Sequence, residues 1–192
     1  GSIFDHTSRH LVSSTRFVFN YAEAYRRGFG EHYRRWAQHG LSFLEQSHQL
    51  PTTGHYAWQL GACRDETAYA YGHAFVLLAQ AKGYQIGETE CLAKLNAVNQ
   101  LLIDQFYESE VGVFADERSS DLSILSDYRG QNANMHLCEA FIAAYEATKK
   151  KQFLTRAQGL AQRFAGDFAS IADGLIWEHY HSDWSIDWDY NI

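Results

Sequence analysis

Two carboxamides, a histidine and a carboxylate open an otherwise apolar helical segment. These side chains are Asn132, Asn134, His136 and Glu139, and the apolar residues 141–145 follow them. Because an unpaired polar group costs about 1–3 kcal/mol when it is buried in a protein, a helix start this polar indicates the lining of a pocket. Histidine titrates near neutral pH, so His136 is suited to general acid–base catalysis.

Polar residues also lie near the starts of two other predicted helices. Arg16 and Asn20 are four residues apart, as are Asn132 and His136, so each pair shares one helix face. Tyr71 lies in the first turn of the remaining helix. If the three helices run parallel on the inner side of a ring, these side chains meet at one rim. The positive ends of three helix dipoles would then favour a developing negative charge there.

Six segments with helical periodicity must position these residues. The sequence contains a single proline, Pro51, which favours long helices over a sandwich with many turns. The predicted helices span residues 13–27, 30–48, 66–82, 88–106, 132–149 and 151–168.

Three aromatic segments, each opened by a glycine, follow successive helix pairs. The glycines are Gly54, Gly112 and Gly174, at intervals of 58 and 62 residues. This interval exceeds an ankyrin or tetratricopeptide unit and fits a helical hairpin with a short extended connection, the unit of an α/α toroid. We therefore expect one all-α domain over residues 1–192, with short strands or β-hairpins in the connections.

Composition restricts the class of partner. The formal net charge of −7 disfavours nucleic acid and anionic membranes, and no apolar run reaches the roughly 18 residues of a membrane span. Aromatic residues make up 15% of the chain, which suits either a sugar-binding cleft or a large core. Three dispersed cysteines without a CxxC pair favour a reduced, cytoplasmic protein.

Several motifs together resemble the N-acylglucosamine 2-epimerase superfamily, specifically its aldose–ketose isomerase branch, the mannose isomerases. The motifs are Arg9-His10-Leu11-Val12 with Ser14-Thr15-Arg16-Phe17, Tyr71-Gly72-His73-Ala74-Phe75, Asn132-Ala133-Asn134-Met135-His136 with Glu139-Ala140, and Trp177-Glu178-His179-Tyr180 leading to Asp183-Trp184. Family members resemble single (α/α)6 barrels about twice this length. The resemblance therefore implies that this chain forms about half of such a barrel, and that further catalytic histidines belong to the other half.

The resemblance implies interconversion of an aldose and a ketose, of the D-mannose/D-fructose type, through a cis-enediol. Arg16, Tyr71 and Asn132 would contact the sugar, and His136 would act as the catalytic group in ring opening or proton transfer. This scheme requires no cofactor and no metal. The implied partner is a monosaccharide, and family members are often homodimers.

Other functions remain open from the residues. A sugar 2-epimerase acting on mannose/glucose, cellobiose or an N-acylglucosamine would share the fold and much of the site. A non-catalytic helical-repeat binding module would use the aromatic groove alone. A glycoside hydrolase on the same toroid would need two carboxylates across a cleft, for which Asp116 and Glu178 occupy equivalent connections.

Some of the polar side chains also have plainer interpretations. We predict that His73 is structural, and that Glu139 lies outside the site and pairs with a neighbouring helix. Residues 179, 181 and 183, two histidines and one carboxylate, alternate along an extended segment, which is compatible with a metal site.

Overall fold

Three helical hairpins follow one another along the chain. The computed structural model describes residues 7–191, and within them there are six α-helices. Their bounds are α1 Leu11–Arg26, α2 Glu31–Phe43, α3 Ala70–Gln85, α4 Cys91–Gln105, α5 Gln131–Thr148 and α6 Lys151–Ala161. Helices α2 and α6 continue as π-helical segments, Leu44–His48 and Gln162–Phe168. All six predicted helices are thus confirmed, including the ends predicted at residues 48 and 168.

Short strands connect the hairpins. Within residues 7–191, eight two-residue strands form four antiparallel pairs: β1 Arg9–His10 with β2 Gln59–Leu60, β3 Ala68–Tyr69 with β6 Glu117–Arg118, β4 Tyr107–Glu108 with β5 Val113–Phe114, and β7 Arg129–Gly130 with β8 His179–Tyr180. The β4–β5 pair is the expected hairpin and turns near Gly112. Around Gly54, the equivalent position has an isolated bridge between Gln49 and Tyr56 instead of a strand pair.

Strand pairing moves the start of the third helix. The sequence predicted a helix from residue 66, whereas α3 begins at Ala70. Ala68 and Tyr69 are extended because they pair with β6, about fifty residues further along the chain. That pairing is a tertiary interaction, so helical periodicity alone could not place the boundary.

One backbone hydrogen bond recurs in all three hairpins. The first residue of each inner helix donates its N–H to a carbonyl of the following glycine segment: Leu11 to Trp58 (2.9 Å), Ala70 to Asp116 (2.7 Å) and Gln131 to Glu178 (2.9 Å). Each acceptor is the fourth residue after one of the three predicted glycines. The repeat inferred from the glycines is therefore structural, and it makes the starts of α1, α3 and α5 equivalent.

Helix α3 lies at the centre and packs against α1, α2, α4 and α5. Thirteen of its 16 residues are buried, so it has no solvent-facing side, and burial of apolar surface stabilises it at about 25 cal/mol per Å². Arg16, Phe75 and His136 are each the sixth residue of their helices, and Phe75 contacts both of the others. The N-terminal halves of the inner helices α1, α3 and α5 therefore lie side by side. Among the described helices, none combines the length and apolar character needed to cross a membrane.

Candidate active site

A cleft of about 240 Å³ opens between the second and third turns of α1, α3 and α5. Its lining residues are Thr15, Arg16, Phe19, Asn20, Phe75, Leu78, His136 and Glu139. A larger groove of about 450 Å³ lies between the β4–β5 hairpin and α6, but no histidine or carboxylate lines it. The cleft between the inner helices therefore brings an acid–base group and a cation together, at the rim that the sequence predicted.

His136 is held by three neighbours. Its ring lies 5.1 Å from the Tyr71 ring at an interplanar angle of 88°, and 4.8 Å from the Phe75 ring. Its Nδ1 is 3.1 Å from Oε2 of Glu139. Because aromatic rings pack against the imidazole and a carboxylate engages one nitrogen, the orientation of the ring is restricted while the residue remains half-buried at the cleft.

Arg16 lies across the cleft from His136. Its guanidinium carbon is 5.0 Å from the centroid of the Phe75 ring, a favourable cation–π geometry. Phe75 therefore contacts both groups and separates them. Among residues 7–191, no carboxylate forms an ion pair with Arg16, and its side chain is exposed. This cation is thus available to a ligand oxygen that carries negative charge.

Tyr71 and Asn132 occupy equivalent positions, the second residues of α3 and α5. Tyr71 packs against His136 and lies 6.1 Å, centroid to centroid, from Trp58. Asn132 is half-buried one turn before His136, and neither residue belongs to the lining of the cleft. The structure therefore joins Arg16 and His136 at the cleft, sets Tyr71 behind His136, and leaves Asn132 at the margin.

His73 and Asn134 have a structural role. Both are fully buried fourth residues of their helices. His73 accepts at Nε2 from the N–H of Tyr56 (3.1 Å) and donates from Nδ1 to the carbonyl of Tyr69 (2.7 Å), and burial lowers its pKa to about 4. The prediction that His73 is structural is confirmed.

Asn134 does not line a pocket, although it was expected to do so with the other polar residues at the start of α5. Its Oδ1 accepts from the Phe114 N–H (2.8 Å), and its Nδ2 donates to the carbonyls of Phe114 (2.8 Å) and Gly130 (3.0 Å). The side chain therefore fastens β5 to the start of α5. Buried backbone groups need hydrogen-bond partners, and Asn134 supplies them to the N–H of Phe114 and to the carbonyls of Phe114 and Gly130. Its carboxamide is therefore engaged with the backbone and does not face a ligand.

Glu139 corrects a second expectation. It was predicted to lie outside the site and to pair with a neighbouring helix, whereas it lines the cleft and pairs with His136 on its own helix. The signal that identifies it is the i,i+3 spacing, which places both side chains on one face. Asn20, four residues after Arg16, likewise lines the cleft.

The possible metal site between residues 179 and 183 is not assembled. His179 Nδ1 lies 2.7 Å from the Tyr128 hydroxyl, and His181 Nδ1 lies 3.7 Å from Asp187. Asp183 accepts hydrogen bonds from Ser185, which lower its pKa. In the part of the chain that the structure describes, no three histidine, cysteine or acidic residues lie close enough to hold a metal ion.

The two carboxylates considered for a hydrolase do not face the cleft either. Asp116 accepts at Oδ2 from the Gly130 N–H (2.5 Å) at the start of α5, and burial raises its pKa to about 7. Glu178 occupies the equivalent position in the next repeat. Neither residue lines the cleft that holds His136, so the described cleft does not have the paired carboxylates that glycoside hydrolysis needs.

Comparison with known proteins gives a consistent result. The family model of N-acylglucosamine 2-epimerase (GlcNAc 2-epimerase) matches residues 1–192. The D-mannose isomerase of Marinomonas mediterranea is 46% identical over 194 residues, which cover 100% of this chain and 49% of that protein. The chain thus spans about half the length of this relative.

Solved structures agree with this result. A crystal structure of a D-mannose isomerase superposes with a TM-score of 0.95 at 45% identity, covering 100% of this chain and 49% of that one. The cellobiose 2-epimerase of Bacillus thermoamylovorans superposes with a TM-score of 0.86 at 17% identity, over 96% of this chain and 51% of its own, a likeness that shows the fold alone. The predicted fold, about half of an α/α toroid with short β connections, is confirmed. The chain belongs to the N-acylglucosamine 2-epimerase family.

Proposed function

We propose that the protein containing this chain is a sugar isomerase that interconverts D-mannose and D-fructose. The observation that carries the proposal is that His136 and the guanidinium of Arg16, which has no carboxylate partner among residues 7–191, line the same cleft. A histidine can exchange protons near neutral pH, and a nearby cation favours a developing oxyanion. The 46% identical relative named D-mannose isomerase supports the choice of substrate.

The proposed chemistry moves one proton between neighbouring carbons. A base removes the proton from C2 of the open-chain aldose while the carbonyl oxygen at C1 takes up a proton, which gives a cis-enediol. Loss of the O2 proton and protonation of C1 then give the ketose. Because C1 and C2 are adjacent and the enediol is cis, one base on one face can serve both carbons.

His136 is assigned to ring opening or to this proton transfer, shared with groups from the rest of the protein. Positioned acid–base catalysis of this kind contributes about 10²–10⁴-fold in rate. Arg16 would stabilise the negative charge that develops on the enediolate oxygen. Tyr71 and Asn132 would hydrogen-bond sugar hydroxyls at the margin of the cleft. No cofactor or metal enters this scheme.

The reaction products distinguish this proposal from the epimerase alternative. The full-length protein is incubated with D-mannose, and the products are separated by chromatography. Fructose supports the isomerase; glucose without fructose means that the proton returns to C2, which contradicts the proposal in favour of a 2-epimerase. Binding of mannose without conversion contradicts it in favour of a binding module.

A pair of histidine variants tests the assignment of His136. We expect His136→Asn to lower kcat about 100-fold or more, because it removes a positioned acid–base group. His39→Asn is the matched control, since His39 is exposed on α2 and away from the cleft. Equal activity of the two variants would remove His136 from the reaction.

We also propose a cytoplasmic location, a neutral monosaccharide as partner, and a homodimer. The three cysteines, Cys63, Cys91 and Cys138, are free thiols, in keeping with a reducing compartment. The negative formal charge, −7, disfavours nucleic acid and anionic membranes as partners. Light scattering of the full-length protein tests the homodimer, and fractionation of the source cells tests the location.

A further inference from the structure

The two ring nitrogens of His136 have different surroundings. Nδ1 lies 3.1 Å from Oε2 of Glu139. Among residues 7–191, no hydrogen-bond partner is present at Nε2. Tyr71 packs edge-to-face against the ring and Phe75 packs obliquely, with centroids 5.1 Å and 4.8 Å away. Since two aromatic rings and a carboxylate already contact the imidazole, Nε2 is the atom left for a ligand in the cleft.

We propose that Glu139 is a positioning residue that fixes the tautomer of His136. An ionised carboxylate only accepts hydrogen bonds, so the neutral imidazole that pairs with Glu139 must carry its hydrogen on Nδ1. The lone pair is then on Nε2, where His136 can accept a proton from a sugar carbon or hydroxyl. Without Glu139, a neutral imidazole prefers the opposite tautomer, with the hydrogen on Nε2 and no base at the cleft.

The surroundings of the pair favour a role in orientation. The Glu139 side chain is 55% exposed and that of His136 is 20% exposed, so water screens the attraction between their charges. Orientation by a hydrogen bond survives such screening. The other polar residues of the cleft are Thr15, Arg16 and Asn20 on α1, and the Tyr71 ring packs against the imidazole from α3. Among the described residues, Glu139 alone engages Nδ1.

The ring-nitrogen chemical shifts of His136 test the tautomer directly. The full-length protein is labelled with ¹⁵N at histidine, its long-range ¹H–¹⁵N spectrum is recorded above the titration range of the ring, and His136→Asn assigns the signals. We expect the Nδ1–H tautomer in the parent and the Nε2–H tautomer in Glu139→Ala. Nε2–H in the parent, or Nδ1–H retained in Glu139→Ala, overturns the proposal.

Turnover gives a second readout, which depends on the proposed isomerase activity. We expect Glu139→Ala to lower kcat about tenfold or more with KM within about twofold, because the base is wrongly presented while the sugar contacts remain. In Glu139→Gln the amide can either accept from Nδ1 or donate to it, so a mixed tautomer and an intermediate kcat are expected.

A matched control comes from the same helix. Glu146 lies seven residues after Glu139 on α5 and is exposed, so Glu146→Ala should leave both kcat and the His136 spectrum unchanged. Parent-like kcat in Glu139→Ala overturns the positioning role. If the protein converts no sugar at all, the proposed isomerase fails, and the ring-nitrogen spectrum still decides the part played by Glu139.

Discussion

The polar residues near the starts of the inner helices differ in role according to their position along the helix. Some line the cleft, and others hydrogen-bond to the β connections. His136 and Arg16, at sixth positions, face the cleft, whereas His73 and Asn134, at fourth positions, face the β connections. Two residues correspond to about 200° around a helix, so neighbouring polar side chains point in opposite directions. The structure places Arg16 and His136 of the predicted rim at one cleft. Periodicity alone could not assign Asn134 to the connection, because its partner Phe114 lies twenty residues away on β5.

Replacement of Asn134 tests this fastening role. Asn134→Ala removes hydrogen bonds to one N–H and two carbonyls of the buried backbone. At about 1 kcal/mol or more for each abandoned group, the free energy of unfolding should fall by about 3 kcal/mol in urea titrations. Asn132→Ala, on the same helix, should change it by less than about 0.5 kcal/mol. Similar losses in the two variants would contradict the division of roles.

The buried imidazole of His73 makes stability depend on pH. Burial lowers its pKa from the ordinary 6.5 to about 4, so the unfolded chain binds a proton between these values while the folded chain does not. Its contribution is complete above pH 6.5 and is lost as the pH falls towards 4. The loss at pH 4.5 should be about 2–3 kcal/mol.

A variant isolates this contribution of His73. The pKa of Asp116 is raised to about 7 by burial, so its own effect has the opposite sign, with stability falling as the pH rises. The comparison is therefore between the parent and His73→Gln, by urea unfolding at pH 7 and pH 4.5. The stability difference between the two proteins should shrink at pH 4.5, and a constant difference would mean that His73 does not titrate in this range.

At the scale of elements, the helices were predictable and the long-range strand pairs were not. Helix α3 is buried on nearly all sides, and helical periodicity in the sequence identified it. Three of the four strand pairs join residues about fifty positions apart, as β1 with β2, so no local period reveals them, whereas the β4–β5 hairpin at Gly112 was expected. The glycines did reveal the connections, because Gly112 has a φ of +83° that side chains rarely tolerate.

Close packing between helices predicts opposite effects for two helical glycines. A Cβ on Gly83 of α3 would lie 2.6 Å from the Cys91 sulfur and 2.9 Å from Leu41 Cδ1, whereas a Cβ on Gly159 of α6 would meet no atom within 4 Å. Gly83→Ala should therefore destabilise by about 1–3 kcal/mol through overpacking. Gly159→Ala should stabilise by about 1 kcal/mol through helix propensity. Thermal unfolding measures both, and stabilisation by Gly83→Ala would show that α2, α3 and α4 are less tightly packed.

At the scale of the whole molecule, the central helix α3 and the outer helix α2 differ in burial. In α3, 13 of 16 residues are buried, whereas in α2 only Ala37 and Leu41 are buried among 13. Exposed apolar side chains are found on α1 and α2, as Phe17 and Trp36, and on α5, as Met135 and Ile142. The chain thus has a core around α3, and apolar side chains are exposed on the first hairpin, α1–α2, and on the third, α5–α6.

Hydrogen exchange should follow this layering. Amides open by local or global unfolding, and the most deeply packed elements open last. In the native full-length protein, the amides of residues 72–83 in α3 should therefore exchange at rates set by global unfolding, while those of α2 exchange earlier through partial opening. Mass spectrometry of peptic peptides, repeated in low concentrations of urea, separates the two regimes because global opening depends more steeply on denaturant. Equal protection and equal denaturant dependence in α2 and α3 would mean that the two layers unfold as one unit, which the burial of their side chains argues against.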